Sequence, residues 1–271
     1  MELVPDVMIV IVGYKSRGLL RSCLNSLGET MAGSTLQVKT VVVDNASKDG
    51  TVEMLRAEYP AVEIIENKKN VGFAAAVNRG LAKPARYYFV LNPDIYFPEA
   101  HSLDRLISWM EAHPKVGMMG PRLRYPNGQF QASCFRLPTF WVPLYHRTFL
   151  GQWPKARRAV DHHLMTDFDH NSERQVDGIF GAAMLARAAA VAKVGPMDEQ
   201  NFFMFFEDID WCRRFTLAGW PVYYVPEIIL VHYHGRPSAG SWQAIFTNPV
   251  MRMHIKSWLK YFWKWRKESL C

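Results

Sequence analysis

Three acidic clusters in this 271-residue chain stand directly after apolar runs, where a carboxylate can be presented to a ligand. The first is Val41-Val42-Val43-Asp44-Asn45-Ala46-Ser47-Lys48-Asp49-Gly50-Thr51. Asp44, at the tip of a buried strand, can accept hydrogen bonds from a nucleobase or a ribose, whereas Ser47 and Asp49 serve equally well as a turn and a helix start. The second is Leu91-Asn92-Pro93-Asp94. Pro93 stiffens the turn and removes a donor. A carboxylate there can hold a Mg²⁺ or Mn²⁺ that bridges phosphate oxygens, because such ions usually take only one or two carboxylates from the protein; a plain Asx turn is the alternative. The third is Phe202-Phe203-Met204-Phe205-Phe206-Glu207-Asp208-Ile209-Asp210. Acids favour the first turn of a helix through its dipole, which accounts for Asp210. The preceding aromatics draw Glu207 and Asp208 towards a water-poor pocket, where a raised pKa suits a carboxylate to general-base work. His232 and His234, after the apolar run Ile228–Val231, are candidate metal ligands. No HExxH, P-loop, GxGxxG or GxSxG pattern occurs.

The elements that must position these residues alternate along the first 120 positions. Val7–Val12, Val38–Val43, Val62–Glu66, Tyr87–Leu91 and Val116–Gly120 read as strands, the longer ones apolar enough to be buried on both faces. Arg17–Leu27, Asp49–Tyr59, Gly72–Leu81 and Ser102–His113 read as helices, the last with Ser102 as its cap. This alternation predicts an α/β fold, a mostly parallel sheet with helices on both faces, in which ligands bind beyond the carboxyl ends of the strands. Beyond Arg122 the pattern changes. Tyr125-Pro126-Asn127-Gly128 predicts a hairpin, residues 136–175 an irregular, Pro-punctuated region with short helices, Asp208–Leu217 a helix, and Tyr223–Val225 and Ile228–Val231 two short strands.

Apolar residues make up 49% and charged residues 21%, which excludes intrinsic disorder. The net charge is +7. Six of the 32 basic residues and one of the 25 acidic residues lie in 251–271, so that tail carries +5 and the remaining 250 residues only +2. A nearly neutral body argues against a nucleic-acid partner. The four cysteines are scattered without CxxC spacing, which fits a reducing compartment. No apolar run reaches the roughly 18 residues of a spanning helix, so the expectation is a cytoplasmic protein.

Residues 1–245 are expected to form one domain and 246–271 a basic amphipathic appendage. Over Met251–Lys267, Ile255, Trp258, Leu259 and Phe262 share one helical face, with Lys256, Lys260, Lys264 and Lys267 on an arc beside it. Aromatic and basic residues in this arrangement suit a helix lying in an anionic membrane interface. Docking on the domain, or a homodimer contact, is the alternative.

Taken in order, the clusters resemble family 2 glycosyltransferases of the GT-A fold, especially the bacterial rhamnosyltransferase-like branch. The segments that carry the resemblance are Ile9–Tyr14, Val42–Thr51, Asn70–Gly80, Leu91–Asp94, Val176–Leu185 and Phe203–Asp210. It implies an inverting, metal-dependent hexosyltransferase that moves rhamnose or a similar hexose from a nucleotide-diphosphate sugar, dTDP-rhamnose being favoured, to a glycan or polyprenyl-linked acceptor in surface polysaccharide synthesis. Asp44, with Asn45 and the Tyr14 region, would line the nucleotide pocket, and Asn70, Gly72, Phe73, Asn78 and Asn92 would shape the sugar-nucleotide site. Asp94, the last acid of the DxD motif, and His232 would bind Mg²⁺ or Mn²⁺. Asp208 would be the base with Glu207 beside it, and Gly181 and Ala182 would lie near the acceptor. Two departures stand out: Asn92 replaces the first acid of DxD, and Lys15 replaces the usual Asn. The membrane reading of the tail becomes a peripheral location on the inner face of the cell membrane. The alternatives are a sugar-1-phosphate nucleotidyltransferase, for which Gly13-Tyr14-Lys15 is too poor in Gly, and a catalytically silent nucleotide-sugar-binding protein.

Overall fold

The computed structural model describes residues 3–145, 148–233 and 248–268. In chain order these form β1 (Val7–Gly13), α1 (Arg17–Thr30), β2 (Val38–Asp44), α2 (Thr51–Glu58), β3 (Glu63–Glu66), α3 (Phe73–Leu81), β4 (Tyr87–Leu91), β5 (Ile95–Tyr96), α4 (Ser102–Ala112), β6 (Met118–Arg124), β7 (Phe130–Gln131), β8 (Cys134–Phe135), α5 (Val142–Tyr145), α6 (Pro154–His163), β9 (Arg174–Val176), β10 (Gly178–Ile179), β11 (Ala183–Arg187), α7 (Ala188–Val194), α8 (Glu207–Leu217), β12 (Val222–His232) and α9 (Pro249–Lys264).

The main sheet runs β3-β2-β1-β4-β11-β6-β12-β5, with β7 on β6 and β9 on β12. Pairing is parallel from β3 to β4 and again between β6 and β12. Strand β11 lies antiparallel to both β4 and β6. The sheet is therefore mixed: the long connection across residues 125–182 brings the chain back at the end where β6 finished, so β11 must run the other way. The hairpin at 125–128 is present, joining β6 to β7.

The period-two pattern of β1 divides the core. Val7, Ile9 and Ile11 pack with Leu20, Leu24, Leu103 and Leu106 of α1 and α4 on one face. Met8, Val10 and Val12 pack with Ala74 and Val77 of α3 and Trp211 and Phe215 of α8 on the other. Successive strand side chains point to opposite faces, so a wholly apolar strand needs helices on both sides.

Local details differ from the sequence reading. The two strands expected after Trp220 are one, β12, whose pairing with β6 shifts register between Val225 and Ile229. Pro226 falls inside that irregularity, where its missing N–H costs no ladder bond. Ser102 is the first residue of α4 instead of its cap: His101 takes the cap position with left-handed backbone, and the Ser102 hydroxyl donates to the Glu99 carbonyl at 2.9 Å. The expected domain boundary at 245/246, His234 and Cys271 lie outside the described residues.

Candidate active site

Strands β1, β2 and β4 end side by side, with Gly13 opposite Asp44 in the register. Asp44 is buried at 4% exposure. Its Oδ2 accepts the Ser47 amide at 3.1 Å, and its Oδ1 has no hydrogen-bond partner. An unpartnered, buried carboxylate oxygen is costly, and a ligand N–H would satisfy it. Tyr14 stands exposed at the rim, with the Lys15 ammonium 5.4 Å from its ring centroid. The Lys15 amide donates to the Ser47 hydroxyl at 3.1 Å, so the β1 and β2 tips are tied together.

Several expected ligand residues spend their polar atoms inside the protein. Asn45 is buried, donates to the Gly72 carbonyl and accepts from Asn67 Nδ2 and the Val71 amide. Asn70 accepts from the Gly72 amide at 2.9 Å. Asn78 accepts from the Met197 amide and donates to the Met197 carbonyl and to Glu199. These asparagines knit the β2 tip, the 67–72 loop and the 197–199 loop into one wall. At Gly72, φ is +91° and a Cβ would collide with the Phe203 carbonyl and ring. Only glycine allows this approach, which lets the Phe73 amide donate to the Phe203 carbonyl at 2.7 Å.

Past β4, the Asn92 amide donates to the Ala182 carbonyl, so buried Ala182 continues the β4–β11 edge. Strand β5 then pairs with the end of β12, Ile95 opposite His232. This puts Asp94 Oδ1 3.3 Å from His232 Nε2. Adjacent ligands of an octahedral ion at 2.0–2.1 Å lie roughly 3 Å apart, so the pair fits two neighbouring positions around Mg²⁺ or Mn²⁺. Among the described residues no three His, Cys, Asp or Glu side chains converge, so an ion held there would take the rest of its ligands from outside the protein. Gln131, on the β7 hairpin strand, is buried and sits 3.1 Å from His232 Nδ1. The Gln131 Oε1 has no hydrogen-bond partner. With the amide turned so that Oε1 accepts from Nδ1–H, the ring offers its Nε2 lone pair towards Asp94. Nothing in the sequence around Gln131 signals this role, because the contact spans 101 positions.

The carboxylate pair Glu207–Asp208 opens α8. The residues before it, Phe205 and Phe206, both have left-handed backbone at φ +70° and +67°. Two consecutive side-chain-bearing residues in that region are strained. The turn aims the first turn of α8 at Gly181: the Gly181 amide donates to Asp208 Oδ2 at 2.9 Å, and the Ile209 amide to Oδ1 at 2.8 Å. Burial pushes the pKa of Asp208 up, opposed by these two N–H donors. Glu207 is pushed up well above the usual carboxylate range, by burial first and by the neighbouring Asp208 second. One of its oxygens, Oε2, has no partner. Both oxygens of Asp208 thus receive amides, which favour its ionised form, whereas Glu207 keeps an oxygen without a partner. Glycine at 181 and alanine at 182 thus support Asp208 and the β4 edge.

The family model for glycosyl transferase family 2 matches residues 8–173. The chain belongs to that family. Over 241 residues this glycosyltransferase is 29% identical to the N-acetylglucosaminyl-diphospho-decaprenol L-rhamnosyltransferase of Mycobacterium tuberculosis, covering 84% of this chain and 76% of the relative. It is 36% identical to rhamnosyltransferase WbbL of Escherichia coli over 90 residues, 33% of this chain and 32% of WbbL. In fold it resembles the mannosyltransferase PcManGT of Pyrobaculum calidifontis, solved with GDP-Man and Mn²⁺, at TM-score 0.62 and 17% identity, covering 98% of this chain and 66% of that one. It also resembles GalNAc-T7, solved with UDP, GalNAc and Mn²⁺, at TM-score 0.61 and 15% identity over 84% of this chain and 43% of that one. Family membership sets aside the nucleotidyltransferase alternative.

Proposed function

We propose that this glycosyltransferase moves rhamnose, or a similar hexose, from a nucleotide-diphosphate sugar to a polyprenyl-diphosphate-linked glycan in cell-surface polysaccharide synthesis, with inversion at the anomeric carbon. The observation that carries the reading is Asp208: a carboxyl held by two amides, beside buried Glu207, on the wall joined through Gly181 and Ala182 to the turn bearing Asp94. The rhamnosyltransferase relatives favour the sugar and the acceptor.

In this reading the nucleobase satisfies Asp44 Oδ1, and the diphosphate lies towards Asp94 and His232. Those two residues would hold Mg²⁺ or Mn²⁺, whose charge stabilises the departing diphosphate when the ion is bound. Asp208 takes the proton of the acceptor hydroxyl as its oxygen bonds to the anomeric carbon. The bond from that carbon to the diphosphate oxygen breaks, and the nucleoside diphosphate leaves with its electron pair. One displacement inverts the configuration without a covalent enzyme intermediate.

The same reading includes an anionic membrane surface on the cytoplasmic side. Helix α9 turns Tyr261 and Trp265 into the protein, and Trp258 and Phe262 against Phe140. Arg252, Lys256, Leu259, Trp263, Arg266 and Lys267 remain exposed. Leu259 is 50% and Trp263 69% exposed, flanked at both ends by cations. Leu and Trp between basic residues suit a lipid headgroup layer. The open face thus differs from the one helical spacing suggested. Among the described residues no helix is long and apolar enough to cross a membrane.

The test is to screen nucleotide sugars for protection against thermal unfolding, with and without Mn²⁺, and then to assay transfer to a polyprenyl-diphosphate glycan. Protection and transfer with dTDP-rhamnose are expected. Protection without transfer to any acceptor would point to a silent binding protein and overturn the reading.

A further inference from the structure

Helix α9 touches the loop that carries the base at every turn, and membrane association does not explain those contacts. The loop 198–206 leads from α7 to the Glu207–Asp208 pair and ends in the strained residues Phe205 and Phe206. Ser257, buried at 4% exposure, donates its hydroxyl to the Met204 carbonyl at 2.8 Å. His254 packs tilted on Phe205 and edge-on against Phe206, at ring separations of 4.8 and 5.4 Å, and Tyr261 packs on Phe206 at 5.4 Å. Lys260 donates to the Gln200 carbonyl at 3.3 Å. Lys264 bridges the two ends of the segment, 2.8 Å from Asp198 and 2.7 Å from Asp210. Trp265 donates its indole N–H to the same Asp210 oxygen at 3.0 Å.

Asp210 is fully buried, two residues beyond Asp208 on the first turn of α8. Arg214 holds its other oxygen at 2.9 Å. A buried carboxylate with this many partners has one place to be, and it takes the first turn of α8 with it. Strained backbone persists only where the surroundings over-determine it. Here those surroundings include the inner face of α9 on one side and the Gly72–Phe203 contact on the other.

We propose that α9 is a brace for the catalytic base, with Ser257 and Lys264 acting as positioning residues that keep the 198–206 loop in the form that presents Asp208. The proposal rests on the reading of Asp208 as the base. It makes the C-terminal helix part of the transferase machinery, whatever its outer face meets.

The test compares full-length wild type with Ser257→Ala, Lys264→Met and Lys264→Arg. The measurements are kcat, KM for the donor, thermal midpoint, and amide hydrogen exchange across residues 203–209. A misplacement of the base by about an ångström costs up to about 10²-fold. The expectation is therefore a kcat lowered about 3- to 10-fold in Ser257→Ala and about 10- to 100-fold in Lys264→Met, with donor KM within about twofold of wild type. Lys264→Arg, which can still reach both acids, should recover most of the loss. Exchange at 203–209 should quicken in Ser257→Ala and Lys264→Met at temperatures where both remain folded. Unchanged kcat in Lys264→Met overturns the brace, as does a loss that appears in donor KM alone. If wild type turns over no donor, the reading of Asp208 fails, and exchange alone decides the brace: equal protection in wild type and both variants overturns it.

Discussion

Replacing Asp208 by Asn separates the chemistry from the binding. The two side chains have the same shape, and Asn still accepts one of the two amides that hold Asp208. Its NH₂ must then face the other N–H, which costs about 1 kcal/mol of stability. Removing the charge beside Glu207 relieves one of the two causes that raise the Glu207 pKa, a partial compensation. The fold should survive with a small shift in thermal midpoint. The loss in rate is of another size. A positioned general base contributes about 10²–10⁴-fold, about 3–5 kcal/mol of transition-state free energy. Nothing in the nucleotide pocket changes, because Asp44, Asp94 and His232 stand on other elements. Initial rates across donor concentration should show kcat falling by that factor while nucleotide-sugar protection against unfolding stays as in wild type. The wild-type kcat should rise with pH along a limb displaced above the ordinary carboxylate range, because burial disfavours the ionised Asp208. That limb should vanish in the variant. Transfer within threefold of wild type, or an unchanged limb, would refute Asp208 as the base.

Three further outcomes follow from the geometry. Gly72→Ala forces a Cβ into the Phe203 carbonyl at a positive φ, so it should destabilise the protein by at least about 1 kcal/mol, read as a lower calorimetric midpoint. Gln131→Leu removes the partner that orients His232 and should weaken Mn²⁺ binding about 10- to 100-fold, read by electron paramagnetic resonance of free Mn²⁺ without any turnover. Leu259→Ser with Trp263→Ser should cut flotation with anionic liposomes while leaving the inner face of α9 docked; undiminished flotation would remove that face from membrane binding, and a change in sedimentation would point to a second copy there instead. Deleting 251–271 would be a poor version of this test, because it also removes Ser257 and Lys264, which contact the segment leading into α8.

Raised carboxyl pKa values also bear on stability. A carboxylate whose folded pKa lies above its unfolded value stabilises the fold most while it is protonated, and that contribution is lost as pH rises through the folded pKa. Glu207 and Asp208 therefore oppose stability in the pH range in which they ionise.

Much of the fold was legible in the sequence. Strands β1, β2 and β4 were readable because a doubly buried strand must be apolar throughout, and the places of Asp44 and Asp94, at or just past the ends of such strands, followed from them. The aromatic run before Glu207 likewise marked a dry pocket. Asn45 and Asn78 were expected as ligand residues from the family resemblance, and their side chains instead bond to loops 26 and 119 positions away, distances over which no local pattern carries information. Asp210 stands where the sequence reading put it, in the first turn of a helix, but its partners were hidden for the same reason. Its place in the first helical turn already had a sufficient explanation in the helix dipole, and nothing local revealed Lys264 or Trp265 as its partners.

The sequence by itself determined the strand and helix alternation, the acids at the strand ends and the basic, aromatic character of the tail, because these depend on side-chain periodicity and composition. Only the tertiary structure decided which way β11 runs, which oxygens are left without partners, and which face of α9 is open. Those outcomes depend on where the chain returns after the 125–182 connection, and a helix with apolar residues on most sides has no preferred face until a buried acid, here Asp210, chooses one for it.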